Sequence, residues 1–142
     1  LLLIGHKKKN YYNLKELVNE LNLNKNIKFI GYVSELKKAN LIKNARGLIN
    51  ASFLGPTNIP QLEGFFYGCP VILSNVFAHK EQCGDSAIYF NPNSILDIEK
   101  KIIHALNNDL TYLKKLGKKR LKFFSWEQAI IKTRNTYKKV LE

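Results

Sequence analysis

The sequence of 142 residues has no methionine, only two cysteines and no apolar run of the ~20 residues that cross a bilayer. Cys69 and Cys83 are too few for a disulfide framework, and a chain of this size buries enough surface to fold without one. No signal-peptide pattern is present. These absences indicate a cytoplasmic protein. Because the first residues read as a strand already under way, we expect a piece of a longer protein.

Arginine is also scarce, although the chain is strongly basic. The net charge is +12, from 23 lysines and arginines against 11 acidic residues, yet only Arg46, Arg120 and Arg134 are arginines. A basic balance favours nucleic acid or an anionic membrane as partner. Bidentate recognition of phosphates and base edges prefers arginine, however, and a joint excess of lysine and asparagine is typical of an AT-rich genome. A non-catalytic basic module that binds nucleic acid or anionic membrane therefore stays open as an alternative.

Short β-branched runs alternate with longer amphipathic stretches, which is the pattern of βαβ units. Right-handed crossovers would set the strands in one parallel, Rossmann-like sheet flanked by helices. The length predicts a single domain over residues 1–142, and the βαβ pattern predicts that it is of the α/β class. The predicted strands cover residues 1–5, 27–31, 47–52, 70–75 and 87–91.

Capping residues mark the predicted helix starts. Ser34 is placed to cap one helix, and Asn58 is placed to cap another that has Pro60 in its first turn. The pairs Ser94–Asp97 and Ser125–Gln128 resemble capping boxes. The last third of the chain is therefore predicted to be helical and to cover the sheet. The final helix carries an apolar stripe at helical spacing, made of Trp126, Ile130, Thr133, Tyr137 and Val140.

The segment GPTNIPQLEGFFYGCPVILSN, residues 55–75, carries the most chemical information. It places a stiff loop and a helix start at the carboxyl end of a strand, where open α/β sheets bind ligands and where free N–H groups favour a phosphate. Glu63 lies in the first or second turn of that helix. Its carboxylate would repel a phosphate but would accept hydrogen bonds from the vicinal hydroxyls of a ribose. The alternative, that Glu63 only complements the helix dipole, stays open at this point.

Other titratable residues give weaker patterns. His79, Glu81 and Cys83 alternate after the strand at 70–75, but no second histidine or cysteine pair completes a zinc site. His6 follows the first strand on the ligand side of the sheet, where a solvated loop is the favoured interpretation. There is no glycine-rich dinucleotide fingerprint and no P-loop. We expect neither metal nor cofactor, and the catalytic residue stays unassigned.

Five stretches occur along the chain in this order: LLLIG, FIGYVS, IPQLEGFFYGCPV, GDSAIYFNP and FFSWEQA. Together they resemble a known family, the GT-B glycosyltransferases of family 4, also described as glycosyl transferases group 1. The resemblance covers nearly the whole chain and is to the C-terminal domain, which binds the nucleotide sugar. It implies a retaining, metal-independent enzyme of hexosyl type that transfers sugar to a glycan or lipid-linked acceptor in cell-envelope polysaccharide synthesis. The acceptor domain would lie outside this chain, which we expect to be inactive alone.

The resemblance also implies roles for individual residues. Glu63 matches the second glutamate of an E-x7-E motif and would bind the donor ribose. The first glutamate of that motif falls on Gly55, which has no side chain, and Asn58 stands where the family has glycine. The donor phosphates and sugar would lie against the loop formed by Gly55, Pro56, Thr57, Asn58, Ile59 and Pro60. The nucleobase pocket would be lined by Tyr32, Val33 and Ser34.

The basic C-terminal helices have one further implied role. Lipid-linked acceptors reside at membranes, and clustered lysines bind anionic lipid headgroups. We therefore expect peripheral association with the inner face of a membrane, and no binding of nucleic acid.

Overall fold

Parallel strands alternate with helices along the computed structural model, which describes residues 1–54 and 59–141. Its residues fall into two units, Leu1–Lys38 and Ala39–Glu142. A 3-10 turn, Gly84–Ser86, precedes the last strand. The described strands are β1 (Leu2–Ile4), β2 (Lys28–Gly31), β3 (Leu48–Asn50), β4 (Val71–Ser74) and β5 (Ala87–Phe90). The described helices are α1 (Tyr11–Glu20), α2 (Glu35–Asn44), α3 (Ile59–Phe66), α4 (Phe77–Cys83), α5 (Ile95–Asn107), α6 (Thr111–Leu121) and α7 (Trp126–Leu141).

The first unit is built on the parallel pair of β1 and β2. Leu3 lies opposite Phe29, and the register shifts after this pair. Val18 of α1 is buried, and the Tyr11 ring packs edge-on against the Phe29 ring, with 5.3 Å between centroids. Helix α1 therefore contacts β2 through Tyr11, and Val18 is its buried side chain.

The second unit is built on a three-stranded parallel sheet in the order β3-β4-β5. All four residues of the central strand β4 are buried, as expected for a strand that lies between two others and is covered on both faces. Alternate residues of β4 point to opposite faces, so each face has its own apolar cluster. One cluster consists of Ile72, Ile88, Phe90, Ala105, Leu110 and Leu113, and the other of Phe65, Val71, Leu73 and Cys83.

The predicted α/β class with parallel strands flanked by helices is confirmed, and each strand lies within its predicted range. The strands hydrogen-bond in two sets of two and three, whereas the sequence predicted one sheet. Three predicted caps are also present. Ser34 Oγ accepts the Lys37 N–H at 3.4 Å at the start of α2. The Asp97 N–H donates to Ser94 Oγ at 3.2 Å, and the Gln128 N–H donates to Ser125 Oγ at 3.1 Å.

The prediction that the C-terminal helices cover the sheet holds for α5 but not for α7. Ala105 of α5 is buried in the cluster on one sheet face, with Ile98 packed against it. No residue of α7 is buried, and Trp126 is 86% exposed. The residues of the predicted stripe lie on a helix, as expected, but no other described element covers them. Among the residues that the structure describes, no helix has both the length and the apolar character needed to cross a membrane.

Candidate functional site

The carboxyl ends of β3 and β4 meet at one edge of the sheet in the second unit, where α3 and α4 follow them. Glu63 lies on α3 and is partly buried, while Ile59 and Pro60 are exposed in the first turn of this helix. The structure therefore places Glu63 on the helix that follows β3, as the sequence predicted. The other four residues assigned to the phosphate and sugar loop lie outside the described residues; they are Gly55, Pro56, Thr57 and Asn58.

A chain of amide side chains lies beneath this edge. Gln61 of α3 is fully buried, at 0% exposure. Its Oε1 accepts a hydrogen bond from Asn50 Nδ2 at the end of β3, and its Nε2 donates to Gln82 Oε1 of α4, both at 3.2 Å. Asn50 Oδ1 in turn accepts the Ser52 N–H at 3.2 Å. One strand end and two helices are thus joined through uncharged side chains.

A second buried group joins β3 and β4. Ser74 and His79 are both fully buried, and Ser74 Oγ donates to the carbonyl oxygen of Ser52. His79 Nδ1 lies 2.9 Å from the Ser74 carbonyl oxygen and 3.1 Å from Ser74 Oγ. Because a carbonyl oxygen only accepts, Nδ1 carries the hydrogen and is shared between these two oxygens. The ring orientation of His79 is therefore fixed by the carboxyl end of β4.

Two glycines allow α3 to approach its neighbours closely. A Cβ atom on Gly64 would lie 2.5 Å from Val71 Cγ1, so α3 rests directly on β4. A Cβ atom on Gly117 of α6 would lie 2.5 Å from Cδ1 of the buried Phe65 ring. The helix that carries Glu63 is therefore packed between the sheet and α6.

Two of the three arginines bind the carboxyl ends of helices. Arg120 donates from Nε to the Gln82 carbonyl oxygen at 2.9 Å and from an Nη to the Glu81 carbonyl oxygen at 2.6 Å. Arg46 donates to three carbonyl oxygens at the end of α5, at 2.6 to 3.1 Å. The last carbonyl groups of a helix lack partners within it and carry partial negative charge, which explains these bonds. These two guanidinium groups have structural partners within the second unit.

The residues predicted to line the nucleobase pocket belong to the first unit. Tyr32 follows β2, is 68% exposed, and stacks on the His6 ring with 4.9 Å between centroids and 24° between planes. His6 follows β1, so the pair lies where the carboxyl ends of these parallel strands meet. Val33 is buried, and Ser34 Oγ accepts the Lys37 N–H at 3.4 Å at the start of α2. Of the three, Tyr32 offers an open aromatic surface.

The structure also describes the residues that were weighed as metal ligands. His79 and Cys83 are buried in different surroundings, and Glu81 is exposed. Within residues 1–54 and 59–141, no three histidine, cysteine or acidic side chains cluster as metal ligands. Burial raises the pKa of Cys69 to about 11 and that of Cys83 to about 12. Neither thiol is therefore ionised near neutral pH, as a nucleophile would be.

Sequence reasoning missed the buried polar residues of this edge. Gln61 stands between residues that were singled out, but its partners are 11 and 21 positions away in the chain. His79 was considered only as a metal ligand. The one signal in the sequence was the position of Asn50 and Ser74 at the ends of strands, where polar side chains face the ligand edge of a parallel sheet.

Comparison with known proteins extends this description. Residues 1–123 match the family model described as glycosyl transferases group 1. The chain is 32% identical over 114 residues to the O-antigen chain mannosyltransferase B of Escherichia coli, and the match covers 79% of the chain and 30% of that protein. The chain therefore spans about a third of the length of the curated relative.

Solved structures share the fold. The sucrose-phosphate synthase of Thermosynechococcus elongatus superposes with a TM-score of 0.85 at 22% identity, over 99% of this chain and 38% of that one. A glycosyltransferase from Rickettsia africae gives a TM-score of 0.81 at 24% identity, over 99% and 40%. Anabaena HepE, solved in complex with UDP and glucose, gives 0.74 at 16% identity, over 99% and 39%.

Proposed function

Because the chain belongs to the glycosyl transferases group 1 family, we propose that it binds the nucleotide-sugar donor of a glycosyltransferase. The binding edge would be the carboxyl ends of β3 and β4, with Glu63 accepting hydrogen bonds from the donor ribose. The structure of HepE with UDP and glucose supports a nucleotide-sugar donor, and the name of the E. coli relative supports a hexosyl donor. Assignment to family 4 and a retaining mechanism are part of this proposal.

The observation that carries the proposal is the placement of Glu63. Its carboxylate lies on α3, a helix that is packed against the sheet. This helix follows β3, whose carboxyl end faces the ligand edge. A carboxylate on so firmly packed a helix is suited to accept two hydroxyl hydrogen bonds at a fixed position. The dipole of the same helix favours the donor phosphates, with residues 55–60 as their proposed contact.

The proposed chemistry needs no metal or cofactor. Transfer requires stabilisation of a departing nucleoside diphosphate, which helix N–H groups and basic side chains can supply in a site closed to water. Tyr32, Val33 and Ser34 are proposed to line the nucleobase pocket. The exposed Tyr32 ring offers a stacking surface for a base. We assign no residue of this chain to the proton transfer or to nucleophilic attack.

Titration of the chain with UDP, GDP and ADP by calorimetry tests the proposal. We expect saturable binding of one nucleotide, weakened in Glu63→Gln by about 1–3 kcal/mol through loss of charge-assisted hydrogen bonds. Glu99→Gln is the matched control, because it makes the same carboxylate-to-amide change on the exposed surface of α5. Unchanged nucleotide affinity in Glu63→Gln would contradict the assignment.

The proposed acceptor is a glycan or a lipid-linked sugar, used in cell-envelope polysaccharide synthesis at the inner face of a membrane. Four exposed lysines of α6 support peripheral binding to anionic lipid: Lys114, Lys115, Lys118 and Lys119. Sedimentation with vesicles of anionic and of neutral lipid tests this, and replacement of the four lysines by glutamine should abolish salt-sensitive binding. Binding only to neutral vesicles would contradict it.

The alternative function, a non-catalytic basic module, is disfavoured by the arginines. The guanidinium groups of Arg46 and Arg120 donate to carbonyl oxygens at helix ends. Recognition of a nucleic acid would use these same donors for phosphates or base edges. Salt-sensitive DNA binding without nucleotide binding would instead favour the module.

We also propose that the chain transfers no sugar by itself, since one wall of a cleft cannot hold both substrates. Multiple turnover of a nucleotide sugar by the isolated chain would refute this.

A further inference from the structure

Gln61 is a polar residue in a place where an apolar one would be expected. It is fully buried on α3, a helix whose neighbouring Phe65 belongs to an apolar cluster. Both ends of its amide are used, since Oε1 accepts from Asn50 and Nε2 donates to Gln82. The side chain is therefore satisfied, and its burial carries no unpaired group.

Stability alone does not explain this amide. A buried hydrogen bond between neutral groups contributes little net free energy, because both groups give up bonds to water when they are buried. Apolar side chains at all three bonded positions, 50, 61 and 82, could serve the core as well. What a buried hydrogen-bonded chain adds is direction, because a donor and an acceptor must be aligned to bond at all.

The direction matters because of what the amide joins. Asn50 ends β3 and Gln82 lies on α4, so Gln61 is bonded on one side to the sheet and on the other to the next helix. A slide of α3 by one residue, about 1.5 Å, or a turn by about 100°, would break both bonds. Aliphatic side chains tolerate such movements far better, because their contacts are not directional.

Glu63 lies two positions after Gln61 on the same helix, which places the two side chains about 200° apart around its axis. A fixed rotation of Gln61 therefore fixes where the Glu63 carboxylate stands at the opposite side. We propose that Gln61 is a positioning residue that sets the rotation and height of α3, and through them the location of the Glu63 carboxylate. The inference rests on the proposed role of Glu63 in nucleotide binding.

A double-mutant cycle on nucleotide affinity tests this. The dissociation constants for UDP, GDP and ADP are measured by calorimetry in the unmutated chain, Gln61→Leu, Glu63→Gln and the double variant. Leucine has nearly the helix propensity of glutamine and a similar volume. The change removes both bonds of the Gln61 amide, so Asn50 Nδ2 and Gln82 Oε1 each lose one partner. Far-UV circular dichroism and a urea titration confirm that each variant is folded at the temperature used.

We expect Gln61→Leu to weaken binding of the tightest nucleotide by about tenfold. In the Glu63→Gln background the same change should alter affinity by less than about twofold, because Gln61 acts through the carboxylate that is already gone. A merely structural role would not produce this coupling, since a loss of stability does not change the affinity of molecules that remain folded.

The contrary outcomes are distinct. The positioning role is refuted, and the proposed function stands, if Glu63→Gln weakens binding but Gln61→Leu has no effect. The same holds if the double variant shows the product of the two single changes in dissociation constant. If Glu63→Gln itself leaves affinity unchanged, the proposed function falls and the inference falls with it. Should Gln61→Leu not fold, Gln61→Met, which keeps the unbranched shape, takes its place. If neither variant folds, the amide serves the fold rather than the site, and the inference is refuted.

Discussion

Replacement of Gly117 by alanine sets two known effects against each other. Gly117 lies inside α6, where alanine favours the helix over glycine by about 1 kcal/mol. The added methyl group would stand 2.5 Å from Phe65 Cδ1 and 3.1 Å from Cγ and Cε1. Phe65 is buried, so the ring has little room to move, and overpacking of this kind costs about 1–3 kcal/mol. We expect a net loss of about 1 kcal/mol.

Urea unfolding followed by far-UV circular dichroism measures this loss. With a slope of about 2 kcal/mol per molar urea, the midpoint should fall by about 0.5 M. Phe65→Leu provides the matched background, because it removes the ring atoms that the new methyl group would meet. In that background Gly117→Ala should raise the midpoint, since only the helix propensity remains. A rise of equal size in both backgrounds would show that the contact between α6 and Phe65 does not limit the packing.

Three further predictions concern caps and thiols. Arg46→Ala should lower the free energy of unfolding by about 1–2 kcal/mol in urea, with little rescue by lysine, because one ammonium group cannot reach the carbonyl oxygens that the guanidinium bonds together. Ser94→Ala should cost about 1 kcal/mol in the same assay through loss of the α5 cap. Cys69 and Cys83 have a pKa of about 11 and about 12 when folded, against 9.0 when unfolded, so their contribution to stability is complete below pH 9 and declines as pH rises through 9 to 12. Between pH 8 and 10.5, a Cys69→Ala/Cys83→Ala variant should lose less free energy of unfolding than the unmutated chain. An equal loss in both would contradict the raised pKa values of the two thiols.

Local patterns predicted most of the elements because each of those elements has its own signal. Ser94 and the apolar positions after it identified α5, and the Ser125–Gln128 pair identified the start of α7. Helix α4 was not predicted, since it has only seven residues and its buried side chains, His79 and Cys83, do not form an apolar stripe. The division of the strands into two hydrogen-bonded sets was not predictable either, because pairing depends on tertiary contacts that no strand encodes alone.

The candidate site likewise contains residues with a local sequence pattern and residues whose partners lie far away in the sequence. The position of Glu63 on the helix after β3 was predicted because a helix start after a strand is a local pattern, while its role in ribose binding stays a prediction that comes from the resemblance to known sequences. Gln61 was not found, because a buried glutamine cannot be told from a surface glutamine until its partners on β3 and α4 are known. The His6–Tyr32 stack was missed for the same reason, since its rings come from two strand ends brought together by folding.

Helix α6 connects these observations, because one of its sides packs against α3 and α4 while the other is exposed. Its inner side holds α3 through Gly117 against Phe65, and it holds α4 through Arg120, which bonds the carbonyl oxygens of Glu81 and Gln82. Gln82 is also the residue that receives the Gln61 amide, so α6 supports both ends of that hydrogen bond. The lysines of its outer side take no part in this packing. Replacing these exposed lysines should therefore leave the geometry around Glu63 intact, so a loss of vesicle binding in that variant would report on the proposed membrane contact alone.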